Sequence, residues 1–241
     1  MQTNTTGQCG IPTLEEAFIF YEDCLQGFRE QGRTISSDHT LLDFGIGWGR
    51  IARFFLQNLP LQNIHGIDVE PSMIEICKET FRTENFQTCN PHPPTELSEK
   101  KFNFIVAYSV FSHLSENACM AWMKEFSRIL RPGGIVAVTT RGRPFFDFCL
   151  AQNPKTEGYL GALGRLFDDF DEARNRYDRG EFIHSNVQGA DGGGAMNSSF
   201  YGETFIPEEY ARNAYSEFLE FKKFQYEPKR QTHPILFFQK P

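Results

Sequence analysis

The chain has 241 residues, 40% hydrophobic and 23% charged, with a formal net charge of -7. That length suits one α/β domain with an elaboration, and the acidic balance argues against a general nucleic-acid binder, which presents a basic face. No apolar run reaches the roughly 20 residues of a membrane span. Residues 1–8 are polar and lack a signal-type apolar core, so they read as a frayed tail. The six cysteines form no CxxC pair and no Cys/His metal spacing. Reduced thiols, a cytoplasmic setting and no metal are therefore expected.

In chain order, Thr13-Leu14-Glu15-Glu16 reads as a capping box. Apolar residues at Ala17, Phe18, Tyr21, Leu25 and Phe28 then predict a helix over 14–30. A buried strand over 40–44 runs into a glycine turn and a helix over 50–58. A strand over 63–68 precedes a helix over 72–83. A weak strand over 86–89 leads into a Pro-rich loop, and a clear strand spans 102–108. Ala118, Trp122, Phe126 and Leu130 mark a helix over 116–130, which Arg131-Pro132-Gly133-Gly134 stops. A fifth strand follows over 135–140. Strands separated by such helices imply βαβ units and a mostly parallel sheet.

The rhythm breaks over 141–205. Helices are expected over 145–152 and 160–177. A long loop over 180–202 carries the glycine cluster of residues 189–194, and loops this long are functional or disordered. A helix over 207–215 and two strands, 219–226 and 234–239, close the chain; their short link predicts an antiparallel pair.

Gly45, Gly47 and Gly49 sit at the first strand-to-helix turn, where an open α/β sheet meets its ligands. Glycines let backbone approach a ligand, and the helix start leaves N–H groups unsatisfied. The spacing is G-x-G-x-G with Asp43 two residues ahead. The dinucleotide fingerprint is G-x-G-x-x-G, and a P-loop needs a Lys-Ser/Thr pair. Asp43 fits a cationic ligand better than a pyrophosphate. Asp68, in Gly66-Ile67-Asp68-Val69-Glu70-Pro71-Ser72-Met73, ends the second strand, where a carboxylate can accept from two ribose hydroxyls. Two further stretches follow in order: Phe102 to Tyr108 with Ser109-Val110-Phe111-Ser112-His113-Leu114, and Arg128-Ile129-Leu130-Arg131-Pro132-Gly133-Gly134.

This ordered set resembles the class I S-adenosylmethionine (SAM)-dependent methyltransferases, specifically their small-molecule branch, over roughly residues 40–140. The resemblance implies a Rossmann-like, doubly wound and mostly parallel sheet with an antiparallel terminal strand pair. It implies SAM as cofactor and S-adenosylhomocysteine as product. Asp43, Gly45 and Gly47 would line the methionine end and the ribose, with Trp48 as wall or packing residue. Asp68 would hold the ribose hydroxyls, Val69 and Met73 would pack on adenine, and Tyr108 and Ser109 would lie under the sulfonium. Where many relatives place an acid for the adenine amino group, this chain has Cys89-Asn90, with Asn90 as the acceptor.

Plainer readings stand beside these. Asp43 can merely cap the turn, and Asp68 can cap the next helix. His113 either takes a proton from the acceptor or simply orients its loop. Tyr201 and Glu203 are further catalytic candidates. Tyr21, Phe145, Phe146, His184, Phe200 and Tyr201 are expected to line the acceptor side. The resulting expectation is one domain over 1–241. It divides into a cover helix (13–31), a SAM-binding core (40–140), a helical and loop insertion over the active site (141–205) and a terminal helix with strand pair (206–241). The function expected is methyl transfer to an O or N of a small molecule, in secondary metabolism, with no nucleic-acid or membrane partner. Peptide or protein methylation, a nicotinamide oxidoreductase and a non-catalytic SAM-binding protein are the competing functions.

Overall fold

The computed structural model describes residues 9–190 and 192–241. The polar stretch 1–8 and Asp191 of the glycine cluster lie outside them. A seven-stranded sheet has the order β3-β2-β1-β4-β5-β9-β8. Its strands are β1 Leu41–Phe44, β2 Ile64–Asp68, β3 Phe86–Thr88, β4 Phe102–Ala107, β5 Leu130–Thr139, β8 Glu220–Gln225 and β9 Ile235–Gln239. β3, β2, β1, β4 and β5 pair in parallel. β9 runs antiparallel to both β5 and β8, so the terminal pair is antiparallel as expected and β8 points with the rest.

Side chains alternate across a strand, and here both faces are buried. Leu42, Phe44, Ile105, Val136, Val138, Leu236 and Phe238 pack on one side with Trp122, Met123 and Phe126 of α4 (Glu116–Ile129). Leu41, Phe104, Val106, Ile135, Ala137 and Phe237 pack on the other. That second face is covered by Phe20, Tyr21 and Phe28 of α1 (Ile11–Glu30), Phe55 of α2 (Ala52–Phe55) and Ile74 of α3 (Pro71–Phe81). The chain is thus a helix–sheet–helix sandwich, and parallel strands buried on both faces read as continuous apolar runs.

Local expectations shift in four places. α1 begins at Ile11, with Pro12 in its first turn, so Thr13 is inside the helix and not its cap. The Thr13 hydroxyl instead accepts from Arg50 Nη1 at 3.2 Å. The helix expected over 50–58 shrinks to α2, because glycine turns occupy the residues before it. The helix expected over 160–177 splits into α6 (Tyr159–Leu163) and α7 (Phe170–Asp178), since Asp169 starts a new helix by accepting from Glu172 N–H at 2.9 Å. Finally, the loop over 180–202 contains β6 (Ile183–Ser185), which pairs antiparallel with β7 (Glu203–Phe205).

α5 (Pro144–Leu150), α6, α7 and this ribbon enclose an apolar cluster of their own, with Phe146, Leu163, Leu166, Phe170, Ile183 and Phe205. α8 (Glu208–Ala214) then returns the chain to the sheet. Among the described residues no helix is long and apolar enough to cross a membrane.

Candidate active site

A cavity lies at the carboxyl ends of β1, β2 and β4, where the strand order reverses and an open sheet offers a crevice. The glycine turn forms its floor. Gly45, Gly47 and Gly49 have φ of +72°, +52° and +78°, a region that residues with a Cβ rarely adopt. A Cβ on Gly45 would strike Val110, and one on Gly49 would strike Phe81 at 2.5 Å; one on Gly47 would meet nothing within 4 Å. Gly47 therefore leaves an open cradle, which a ligand can fill.

Asp68 spans the turn from β2. Its Oδ2 accepts from Gly47 N–H at 2.8 Å and its Oδ1 from Glu70 N–H at 2.9 Å. Each oxygen keeps a second lone pair for a ligand donor. Burial holds its carboxyl above the usual range despite these bonds. Val69 and Met73 continue the wall, and Tyr108 and Ser109 close it at the end of β4. Ser109 has φ +58°, a strained setting for a residue with a side chain. Trp48 lines the cavity and its buried Nε1 has no hydrogen-bond partner among the described residues. An orphaned donor beside an empty glycine cradle and a half-used carboxylate fits a ligand carrying hydroxyls and an anionic end.

Asp43 is placed differently. It is 1% exposed beneath the turn and accepts from Ala52 N–H at 3.0 Å. Burial pushes its carboxyl up to about 7. It caps the turn, as the plainer reading has it, and does not line the cavity. Cys89, not Asn90, reaches the wall after β3. Burial pushes that thiol up to about 12, so it is inert.

The insertion supplies the roof. Gly192, Met196, Phe200 and Tyr201 line the cavity from above. Tyr201 stacks on His113, with centroids 4.8 Å apart and planes 2° from parallel. His113 Nδ1 lies 2.8 Å from the Gly202 carbonyl and 3.4 Å from Glu203 Oε1, while its Nε2 lies 3.5 Å from Ser109 Oγ. Glu203 is fully buried on β7. Arg141 Nε donates to its Oε2 at 2.6 Å, and Tyr159 OH donates to its Oε1 at 2.6 Å. Burial opposes the Glu203 charge, yet the His113 ring and the Arg141 guanidinium outweigh it and hold the carboxyl near 2.

The other expected lining residues sit elsewhere. Tyr21 bonds Asn58 and packs edge-on to Phe55, on the α1 side of the sheet. Phe146 stacks on Phe205 in the insertion core, 3.9 Å between centroids, and Phe145 lies under the Arg141 guanidinium. His184 Nδ1 pairs with Thr204 Oγ1 at 2.8 Å, and burial lowers the ring to about 4. Phe145, Phe146 and His184 pack the insertion and its seam with the core, and Tyr21 packs α1 onto α2.

Arg50 is a charged lining residue to which motif reading assigns no separate role. It is 9% exposed and its Nη1 donates to Glu16 Oε2 at 2.8 Å. Its signal in the sequence is only its place directly after Gly49, a cation inside a ligand-binding turn.

Residues 41–134 match a family model described as a methyltransferase domain. A malonyl-[acyl-carrier protein] O-methyltransferase from Acetivibrio thermocellus is 25% identical over 108 residues, 44% of this chain. The match spans 37% of that relative's own length. A SAM-dependent methyltransferase from Methanosarcina mazei superposes with a TM-score of 0.54 at 15% identity, over 85% of this chain and 93% of that one. One from Mesorhizobium loti reaches a TM-score of 0.57 at 10% identity, over 89% and 96%. At these identities the likeness is one of fold.

Proposed function

We propose that this chain, a class I SAM-dependent methyltransferase by its fold and its family match, transfers the cofactor's methyl group to an oxygen or nitrogen of a small molecule. The carrying observation is that the glycine turn, Asp68, the Tyr108–Ser109 end of β4 and the Tyr201 roof share one cavity, with His113 Nε2 behind that wall, 3.5 Å from Ser109 Oγ.

In this reading Asp68 holds the ribose hydroxyls, Val69 and Met73 flank the adenine, and Gly45 and Gly47 let the backbone approach. Trp48 Nε1 and the spare donors of Arg50 serve the cofactor's carboxylate. The cofactor supplies a methyl group already activated by positive sulfur. The protein's task is then alignment and exclusion of water. Tyr108 gives an aromatic face that tolerates a cation without fixed negative charge, which suits a reaction in which that positive charge disappears. His113 takes the acceptor's proton at Nε2, and Glu203 behind Nδ1 steadies the imidazolium that forms. Residues 40–140 are the cofactor core, and 141–205 the acceptor-side insertion. That the Acetivibrio relative is an O-methyltransferase supports oxygen as the methylated atom.

Isothermal titration with SAM and with NADH tests the cofactor; NADH binding without SAM binding sinks the reading. Label transfer from SAM tests turnover, and tight SAM binding with no turnover on any acceptor favours a non-catalytic binder. His113→Gln should retain SAM affinity and lose roughly 10²- to 10⁴-fold in transfer rate. An unchanged rate would leave His113 a loop anchor.

A further inference from the structure

Beyond Asp68 the cavity runs toward β3, the edge strand of the sheet. Cys89 N–H donates to Asp68 O at 2.9 Å, so the residue that follows β3 stands beside the one assigned to the ribose. Val69, Met73, Cys89, Pro91, Trp122 and Phe200 line the cavity there. In the cofactor reading above, the orphaned Trp48 Nε1 and the Gly47 cradle take the charged end at the β1 turn. A base carried by a ribose at Asp68 then comes to rest among the β3-side residues.

The edge of a buried purine needs hydrogen-bond partners. At its 6-position an amine donates and a carbonyl accepts. The wall offers few partners for either. Val69, Met73 and Phe200 bring apolar side chains. Trp122 directs its indole N–H to the Pro91 carbonyl at 3.0 Å, and a proline has no N–H of its own. Asn90 does not line the cavity, and Glu70 does. Glu70 Oε1, however, caps α3, accepting from Ser72 N–H at 3.3 Å and from Ser72 Oγ at 3.0 Å. What is left for the base edge is Cys89 Sγ, a free thiol with no hydrogen-bond partner among the described residues.

A thiol is a weak donor and a weak acceptor at once. Burial, with the Asp68 charge beside it, pushes this one up to about 12, so it keeps its proton. It can turn S–H toward a carbonyl or a lone pair toward an amine. A carboxylate in its place could only accept, and it would face the lone pairs of a 6-oxo base. Sites built around one fixed polar partner reject an analogue that lacks the matching group, whereas apolar walls discriminate weakly.

We infer that Cys89 makes the base end of the cavity indifferent to the purine's 6-substituent, so that the chain takes a 6-oxo (hypoxanthine) form of the cofactor about as well as the 6-amino form; this rests on the methyl-transfer reading above.

Calorimetric titration of the full chain with S-adenosylhomocysteine and with S-inosylhomocysteine tests this. The two dissociation constants should lie within about tenfold of each other, and a larger loss for the inosyl ligand overturns the inference. Cys89→Asp sets an acceptor-only group on the same wall and should widen the ratio by at least about tenfold in favour of the amine. Asn90→Asp, one residue further and off the wall, should leave the ratio as it is. An unchanged ratio in Cys89→Asp, or an equal widening in Asn90→Asp, also overturns the inference. The wild-type comparison stands by itself if Cys89→Asp does not fold. Failure of S-adenosylhomocysteine to bind strikes the methyl-transfer reading instead, so the two failures are separable.

Discussion

Asp43 and Asp68 end neighbouring strands, yet their surroundings assign them opposite work. Asp68 faces the cavity with lone pairs to spare, so Asp68→Ala should weaken SAM binding by about ten- to a hundredfold. That is roughly 1.5–3 kcal/mol, the range for hydrogen bonds to a charged group; titration calorimetry measures it, and an unchanged affinity would remove Asp68 from the ribose. Asp43 is sealed under the turn. Its folded pKa of about 7 stands above its ordinary 3.8, so the folded state binds the extra proton between those values. Its contribution to stability is then full below pH 3.8 and is lost as pH rises through 7. Asn accepts the same Ala52 N–H without ionising. Asp43→Asn should therefore gain on the wild type between pH 5 and pH 8 by on the order of 2–4 kcal/mol, in denaturant melts of cofactor-free protein. A pH-independent difference would contradict the assignment. Asp68 was legible from its place at a strand end. The partners of Glu203 were not: Arg141, His113 and Tyr159 lie 62, 90 and 44 positions away in the chain, and only the folded ribbon joins them.

Elements were legible where periodicity is strong. β1, β4 and β5 announce themselves because both faces are buried and the strands are dominated by apolar residues such as Leu41-Leu42, Phe104 to Ala107 and Ile135 to Val138. β6 did not, because three residues carry no usable period and the partner strand lies 18 residues further on. The split of α6 from α7 was hidden for a related reason, since apolar spacing continues across the gap while Asp169 restarts the helix. One packing contact tests the layer under α1. A Cβ on Gly27 would collide with the Phe237 ring of β9. Gly27→Ala raises intrinsic helix propensity, yet overpacking should dominate and cost about 1–3 kcal/mol. Chemical denaturation decides the sign, and a stabilised variant would mean that α1 does not sit tightly on β9.

Across the whole molecule, the return strand of the insertion is sewn into the core. Gly202 N–H binds His113 O and Thr204 N–H binds Ser112 O, each at 2.8 Å, while Arg141 N–H binds Thr204 O at 3.1 Å. Amide exchange at Gly202 and Thr204 should therefore be as slow as at Val106 in β4, because releasing them requires opening the core. Exchange orders of magnitude faster would show the strand to be loosely attached. His113, Glu203 and the seam of residues 201–206 form a chassis, while the stretch between α5 and Phe200 is a cassette joined to it. Grafting a different cassette onto that chassis should, on the proposed reading, change which acceptors fit while His113, Glu203 and the glycine-turn floor stay in register.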